Sequence, residues 1–200
     1  MPKVIVNEWM TLDGVVQAPI SPAEDPTGGF AHGGWHVRHT ADPSFQRWAV
    51  ENLAGAGGFL FGRRTYENFA AHWPNAGPDE HALAEPLNTR PKYVASTTLA
   101  EPLAWQNSVL LGPDIATAVA ALKRKQGGDL LVIGSTELVR TLLEHGLVDE
   151  LRLMIDPVIV GGGKRLFPND GALRTLRLSN STVTTTGAII ATYVPDEEQR

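Results

Sequence analysis

"GFLFGRRTYENF" spans Gly58–Phe69. Gly58–Gly62 is apolar, is bounded by glycine and reads as a buried strand. Two arginines and a threonine follow, and Thr65–Ala71 reads as a short helix. A strand that passes at once into a helix is half of a strand–helix–strand unit, so the stretch points to a parallel sheet. It also sets two cations where that strand ends. Arginine forks suit a carboxylate or a phosphate. Glu67 and Glu51 are the nearby carboxylates.

The flanking sequence keeps the same rhythm. "KVIVNEW" (Lys3–Trp9), "KYVAS" (Lys92–Ser96), "SVLL" (Ser108–Leu111) and "DLLVIG" (Asp129–Gly134) read as strands. A helix from Asp42-Pro43 to Leu53 is expected, with Asp as cap, Pro in the first turn, and Phe45, Trp48 and Ala49 on one face. Asp114–Lys125 carries an apolar stripe of Ile115, Val119 and Leu122. "STELVRTLLEHG" carries another, of Leu138, Val139, Leu142 and Leu143. Between these elements, "DGVVQAPISPAEDPTGGFAHGGW" and "HWPNAGPDEH" read as loops. "ELRLMIDPVIV" reads as a strand interrupted or bulged at Pro157. "TLRLSNSTVTTT" and "AIIATYV" read as a closing antiparallel pair, and the tail "PDEEQR" is expected to fray. The pattern predicts one α/β domain over residues 1–200, with a mostly parallel central sheet and antiparallel C-terminal edge strands.

Composition narrows the function. The chain has 200 residues, 42% of them hydrophobic, and a formal net charge of -5. That length lets one domain bury roughly 70% of its unfolded surface. The acidic balance argues against nucleic acid as a partner. With no cysteine, disulfides, thiolate metal sites and cysteine nucleophiles are excluded. No apolar run is long enough to span a membrane. The start lacks the layout of a signal peptide, so a cytoplasmic location is expected.

Three expected strand ends carry polar groups suited to an anion. They are Gly62-Arg63-Arg64-Thr65, Ser96-Thr97-Thr98 and Gly134-Ser135-Thr136. Hydroxyls donate single hydrogen bonds, and a helix start after glycine offers free N–H groups and a positive dipole end. Ser and Thr are also common caps and turn residues, so each stretch alone supports either reading. Together they favour one extended ligand with several phosphates lying across neighbouring strand ends, where ligands bind in such sheets.

"FLFGRRTYENF" resembles the glycine-arginine-x-threonine-aromatic-glutamate stretch of the dihydrofolate reductase fold, and "LLVIGSTELVRTLL" that fold's later strand–helix turn. "MTLDGVV", "HGGW", "GRRTYENFAAHWP" and "DELRLMIDPVIVGGGKRLF" resemble stand-alone bacterial proteins of its riboflavin-reductase branch. The resemblance runs from Val4 to about Val194 and implies the three-layer dihydrofolate reductase-like fold and NADPH. By motif match it places Gly62, Arg63, Arg64 and Thr65 on the 2′-phosphate and pyrophosphate. It places Ser96 and Thr97 near the adenosine ribose phosphate. Gly134, Ser135, Thr136 and Leu138 fall along the pyrophosphate and nicotinamide. It also implies a homodimer. Two departures stand out: Ser135 replaces the second glycine of the later turn, and the first helix lacks the pterin-binding carboxylate.

Asp13 in "TLDG" is the candidate for handling a proton or orienting substrate, although Asp-Gly is also a common turn pair. Trp35 and Trp48 are candidates for stacking on a flat heterocycle, and Lys164 of "GGGKRLF" for a substrate or cofactor phosphate. His32, His36 and His39 lie close together without a completing carboxylate, and no metal is expected. The sequence thus predicts an NADPH-dependent reductase of a flat nitrogen heterocycle, in the riboflavin case 5-amino-6-(5-phosphoribosylamino)uracil. A pteridine or dihydrofolate reductase, and a non-catalytic NADP(H)- or nucleotide-binding sensor, are the alternatives.

Overall fold

The computed structural model describes residues 1–196; of the tail expected to fray, residues 197–200 lie outside that description. Eight strands form one sheet: β1 Val4–Thr11, β2 Gly58–Gly62, β3 Lys92–Ala95, β4 Ser108–Leu110, β5 Leu130–Ile133, β6 Glu150–Asp156, β7 Leu176–Val183 and β8 Ile189–Pro195. Their order across the sheet is β4-β3-β2-β5-β1-β6-β8-β7. β1 to β6 run parallel, and β8 and β7 close one edge antiparallel. The α-helices are α1 Pro43–Gly55, α2 Arg63–His72, α3 His81–Thr89, α4 Ile115–Lys123 and α5 Thr136–Glu144.

Alternation along the strands sorts the core into two faces. Val4, Val6 and Met10 of β1 join Val119 and Leu122 of α4 and Leu138, Val139 and Leu142 of α5. Ile5 and Trp9 face the other way, toward Leu53 and Phe45 of α1, Tyr66 of α2 and Leu87 of α3. This is the three-layer arrangement the sequence predicts. Two helix starts are also as expected. Asp42 caps α1, accepting from the N–H groups of Ser44 at 2.8 Å and Phe45 at 3.3 Å. Asp114 caps α4 through Thr117 N–H at 3.0 Å.

β6 stops at Asp156, interrupted at Pro157 as expected, because proline cannot donate to the ladder. The structure departs from the sequence reading in two places. α2 begins at Arg63, directly from β2, two residues before the expected start. α3 was not expected, since Pro86 lies inside it and blurs its periodicity. Tertiary contacts hold that helix. Leu87 is fully buried. Lys92, also buried, donates from Nζ to the carbonyls of Leu87 at 2.7 Å and Arg90 at 3.0 Å.

One register detail positions the site. β1 pairs with β5 only as far as Asn7 and Ile133, whereas its pairing with β6 continues to Thr11 and Asp156. Beyond Asn7, β1 therefore leaves β5 while still held by β6. The helices that follow these two strands, α1 and α5, pack on opposite faces. Parting strands with diverging crossovers make the switch-point crevice of an open α/β sheet.

At the opposite edge the strand entries pass very close together. A Cβ on Gly57 would lie 2.5 Å from Gly128 Cα. Gly57→Ala forces two backbones apart and is expected to cost about 1–3 kcal/mol, the usual range for overpacking. Urea denaturation reads this as a lowered midpoint; an unchanged midpoint contradicts the close approach.

Candidate functional site

β2 lies between β3 and β5, so the three polar strand ends singled out in the sequence are neighbours. Gly62 pairs with Ala95, the residue before Ser96. On its other side, Gly62 N–H donates to Ser135 Oγ at 2.9 Å, and that hydroxyl donates to Ile133 O at 3.1 Å. Ser135 thus ties the end of β5 to the end of β2. Gly134 and Ser135 both have left-handed backbones, with φ of 56° and 62°. The turn packs tightly on α2: a Cβ on Gly134 would meet Thr65 Oγ1 at 3.2 Å.

The helices that leave this edge start without a side-chain cap. α1 and α4 begin with aspartate caps, whereas α2 and α5, like α3, have none. The first N–H groups of α2 and α5 have no intrahelical acceptor, and each start is a positive dipole end. Two such starts at adjacent strand ends are chemically suited to an anion. Arg63 opens α2 in an exposed pair with Glu67, at 3.1 Å. Ser96 Oγ accepts from Thr98 N–H at 3.1 Å and Leu99 N–H at 3.0 Å, so it closes the turn after β3. Ser96 and Thr97 line a cavity of about 590 Å³ with Leu99, Leu110 and Leu111. Thr136 is the first residue of α5, and Leu138 is buried in the core beneath that helix.

A second cavity, of about 580 Å³, lies between the loops that follow β1 and β6. Gln17, Thr27, Phe30, His32, Gly163 and Lys164 are among its walls. Behind it stands Asp25, only 8% exposed. Its Oδ2 accepts from Arg64 Nη1 at 2.7 Å and Lys164 Nζ at 2.5 Å, and its Oδ1 from Thr27 Oγ1 at 2.6 Å. Burial alone would raise its pKa; the bonds from Lys164 and Thr27 outweigh this and hold it low. One carboxylate between two cations leaves one positive charge over. Gln17 fixes the loop, donating to the carbonyls of Asp25 and Thr27, both at 2.9 Å, and accepting from Lys164 N–H at 3.0 Å.

Of the residues expected to meet substrate, Lys164 lines this cavity. Trp35 does not: it is 9% exposed, and its Nε1 donates to Gln17 O at 2.8 Å. Trp48 packs beside Phe45. Asp13 accepts from Thr11 Oγ1 at 2.6 Å and from the N–H groups of Val160 and Gly161. The Thr11 bond leads in holding its pKa below the usual range, so Asp13 stays ionised and ties two loops together. It holds no proton to give near neutral pH. The three histidines separate. His32 lines the cavity, while His36 and His39 are buried, with His36 Nδ1 2.8 Å from Asp156 Oδ2. Among the described residues, no group of three or more His, Cys, Asp or Glu is arranged to hold a metal ion.

Sequence reading passed over Gln17 and Asp25, and above all Glu8. Glu8 is one residue past the last β1–β5 pair, beside Leu153 of β6. It is 5% exposed, and its Oε2 has no hydrogen-bond partner. Burial pushes its pKa up to about 8, opposed only by a backbone hydrogen bond at Trp9. A charged residue inside the apolar run "VIVNEW" was the available signal.

Comparison with known proteins agrees with this fold. A family model described as the RibD C-terminal domain matches residues 2–190. The chain belongs to that family. It is 32% identical over 136 residues to the uncharacterized protein YyaP of Bacillus subtilis (strain 168), covering 67% of this chain and 71% of that one. Among solved structures it resembles a pyrimidine reductase-like protein from Corynebacterium diphtheriae, with a TM-score of 0.67 at 13% identity, covering 98% of this chain and 92% of that one. It also resembles Acinetobacter baumannii RibD, with a TM-score of 0.61 at 14% identity; 98% of this chain matches 59% of that longer one. At such identities the likeness is one of fold. No helix among the described residues is long and apolar enough to cross a membrane.

The buried carboxyl gives a pH signature. Below about pH 4.5 the folded and unfolded chains both keep the Glu8 proton. As pH rises toward 8 the unfolded chain loses it and the folded chain retains it, so stability falls by up to about 1.4 kcal/mol per pH unit. Glu8→Gln removes this loss. Its stability relative to wild type is expected to rise between pH 5 and pH 8 in urea titrations; a difference independent of pH contradicts the assignment.

Proposed function

We propose that the protein is an NADPH-dependent reductase of a flat nitrogen heterocycle, of the type reduced in riboflavin biosynthesis. 5-amino-6-(5-phosphoribosylamino)uracil is the reference substrate. One observation carries the reading: the uncapped starts of α2 and α5 lie side by side at neighbouring strand ends, joined by the Gly62–Ser135 hydrogen bond. Membership of the RibD C-terminal domain family supports it.

The residues present fit the cofactor. The close approach at Gly134, which a Cβ would crowd, and the open N–H groups of α2 and α5 suit a pyrophosphate. Arg63 suits the 2′-phosphate. Its present partner, Glu67, is exposed at i,i+4, and such pairs contribute only about 0.3–0.5 kcal/mol, so Arg63 is readily given up to a phosphate. Ser96 and Thr97, beside the first cavity, suit the adenosine end. When bound, the cofactor supplies the hydride, and the chain supplies binding, orientation and exclusion of water. Phe30 and His32 form an aromatic wall for the substrate, with the Lys164 ammonium placed for a phosphate. The pterin reading lacks its carboxylate, because Asp42 is taken by the α1 cap and by Thr185 N–H at 2.8 Å.

Thermal-shift titration tests the cofactor. A ligand at 100 times its Kd stabilises a fold by about 2.7 kcal/mol. NADPH is expected to raise the melting temperature at lower concentration than NADH. Arg63→Ala is expected to erase a preference of about 10–100-fold, the equivalent of one charged hydrogen bond. If neither nucleotide shifts the transition, the reading fails. If NADPH binds tightly but no aminouracil or pterin drives its oxidation, the protein is a sensor.

A further inference from the structure

We infer that Glu8 is the catalytic acid of the reduction, holding at Oε2 the proton that accompanies the hydride. The inference rests on the cofactor reading above and goes beyond it. Three observations converge on this residue. The β1–β5 ladder ends at Asn7 and Ile133, so Glu8 stands where the two strands part, level with the Gly134–Ser135 turn that opens α5. It is almost wholly buried, and its Oε2 is unpartnered. The buried core on its face of the sheet includes Val6, Met10, Val132, Leu138 and Leu153, all apolar, and burial of Glu8 is opposed by one backbone hydrogen bond and by no charged partner.

A buried carboxyl without a counter-ion keeps its proton, here with the pKa pushed up to about 8. Proton donors in enzymes are tuned in this way toward the operating pH. The carboxylates near the second cavity lack this property. Asp13 and Asp25 are both held below the usual range by donors and stay ionised.

The step balances as follows. The hydride, with its electron pair, goes to the carbon of a C=N or C=O group. The C–H bond forms as the π-bond electrons move to nitrogen or oxygen. The proton leaves Glu8 Oε2 for that heteroatom, giving an amine or alcohol, and Glu8 is left as a carboxylate that water reprotonates in the next cycle. The oxidised nicotinamide ring is cationic and the reduced ring is neutral. With the ring bound where β1 and β5 part, a carboxylate at Glu8 would therefore be favoured only after hydride has left. Proton loss from Glu8 is tied to the oxidation state of the cofactor.

That coupling can be read without substrate. Protein in weakly buffered solution at pH 7 is titrated with NADP+ and, separately, with NADPH. A pH indicator reports protons released, and protein fluorescence reports binding. The expected result is release of close to one proton per NADP+ bound, little or none with NADPH, and none with either nucleotide for Glu8→Gln. Equal release with the two nucleotides, no release with either, or release that survives in Glu8→Gln overturns the assignment while leaving the cofactor reading intact. If neither nucleotide binds, both fall together.

Discussion

The site depends on where a ladder stops. β1 and β5 are hydrogen-bonded from Val4 and Leu130 only to Asn7 and Ile133, although β1 continues for four more residues beside β6. Had the ladder continued, the center of the carboxyl edge would be closed by paired backbone. Because it stops, the chain after β5 can turn through two left-handed residues and start α5 on one face, while β1 runs on toward α1 on the other. Ser135 makes this turn possible at a cost. A left-handed serine is strained by about 1 kcal/mol or more. Its hydroxyl is held between Gly62 N–H and Ile133 O, and this fixes the spacing of the α2 and α5 starts.

Electrostatics divide the edge into regions with distinct duties. On the β2–β3 side, positive helix starts and Arg63 face solvent with weak competition. Across β1, Asp25 restrains Arg64 and Lys164 together and keeps the two loops registered on α2. Between the two lies Glu8, uncharged by burial. The carboxyls nearest the proposed chemistry are thus separated by environment: donors keep Asp13 and Asp25 ionised, and burial, opposed only by one backbone hydrogen bond, leaves Glu8 protonated.

The sheet was legible in the sequence because most of its strands are apolar runs punctuated by glycine, and α1 and α4 because they begin at aspartate. α3 was hidden because Pro86 breaks its pattern and its support comes from Lys92, a residue of the next strand. The three polar strand ends could be found because each motif directly follows a strand, so local sequence fixes its place. What those side chains touch could not be found that way. Asp25 meets Arg64 across 39 residues and Lys164 across 139, separations that no local pattern encodes. Trp35 resembled a stacking platform but serves as core, because its indole N–H is committed to Gln17 O. Glu8 was visible as a charge within an apolar strand, yet its meaning required knowing which strand it parts from.

The central claim is that the open N–H groups at the starts of α2 and α5 jointly hold one dinucleotide. Hydrogen–deuterium exchange with and without NADPH tests it most directly. The account predicts slowed exchange confined to residues 62–66, 96–99 and 134–138 and to the end of β1 from Glu8 onward. Protection elsewhere on the sheet, or at only one of the two helix starts, would contradict it.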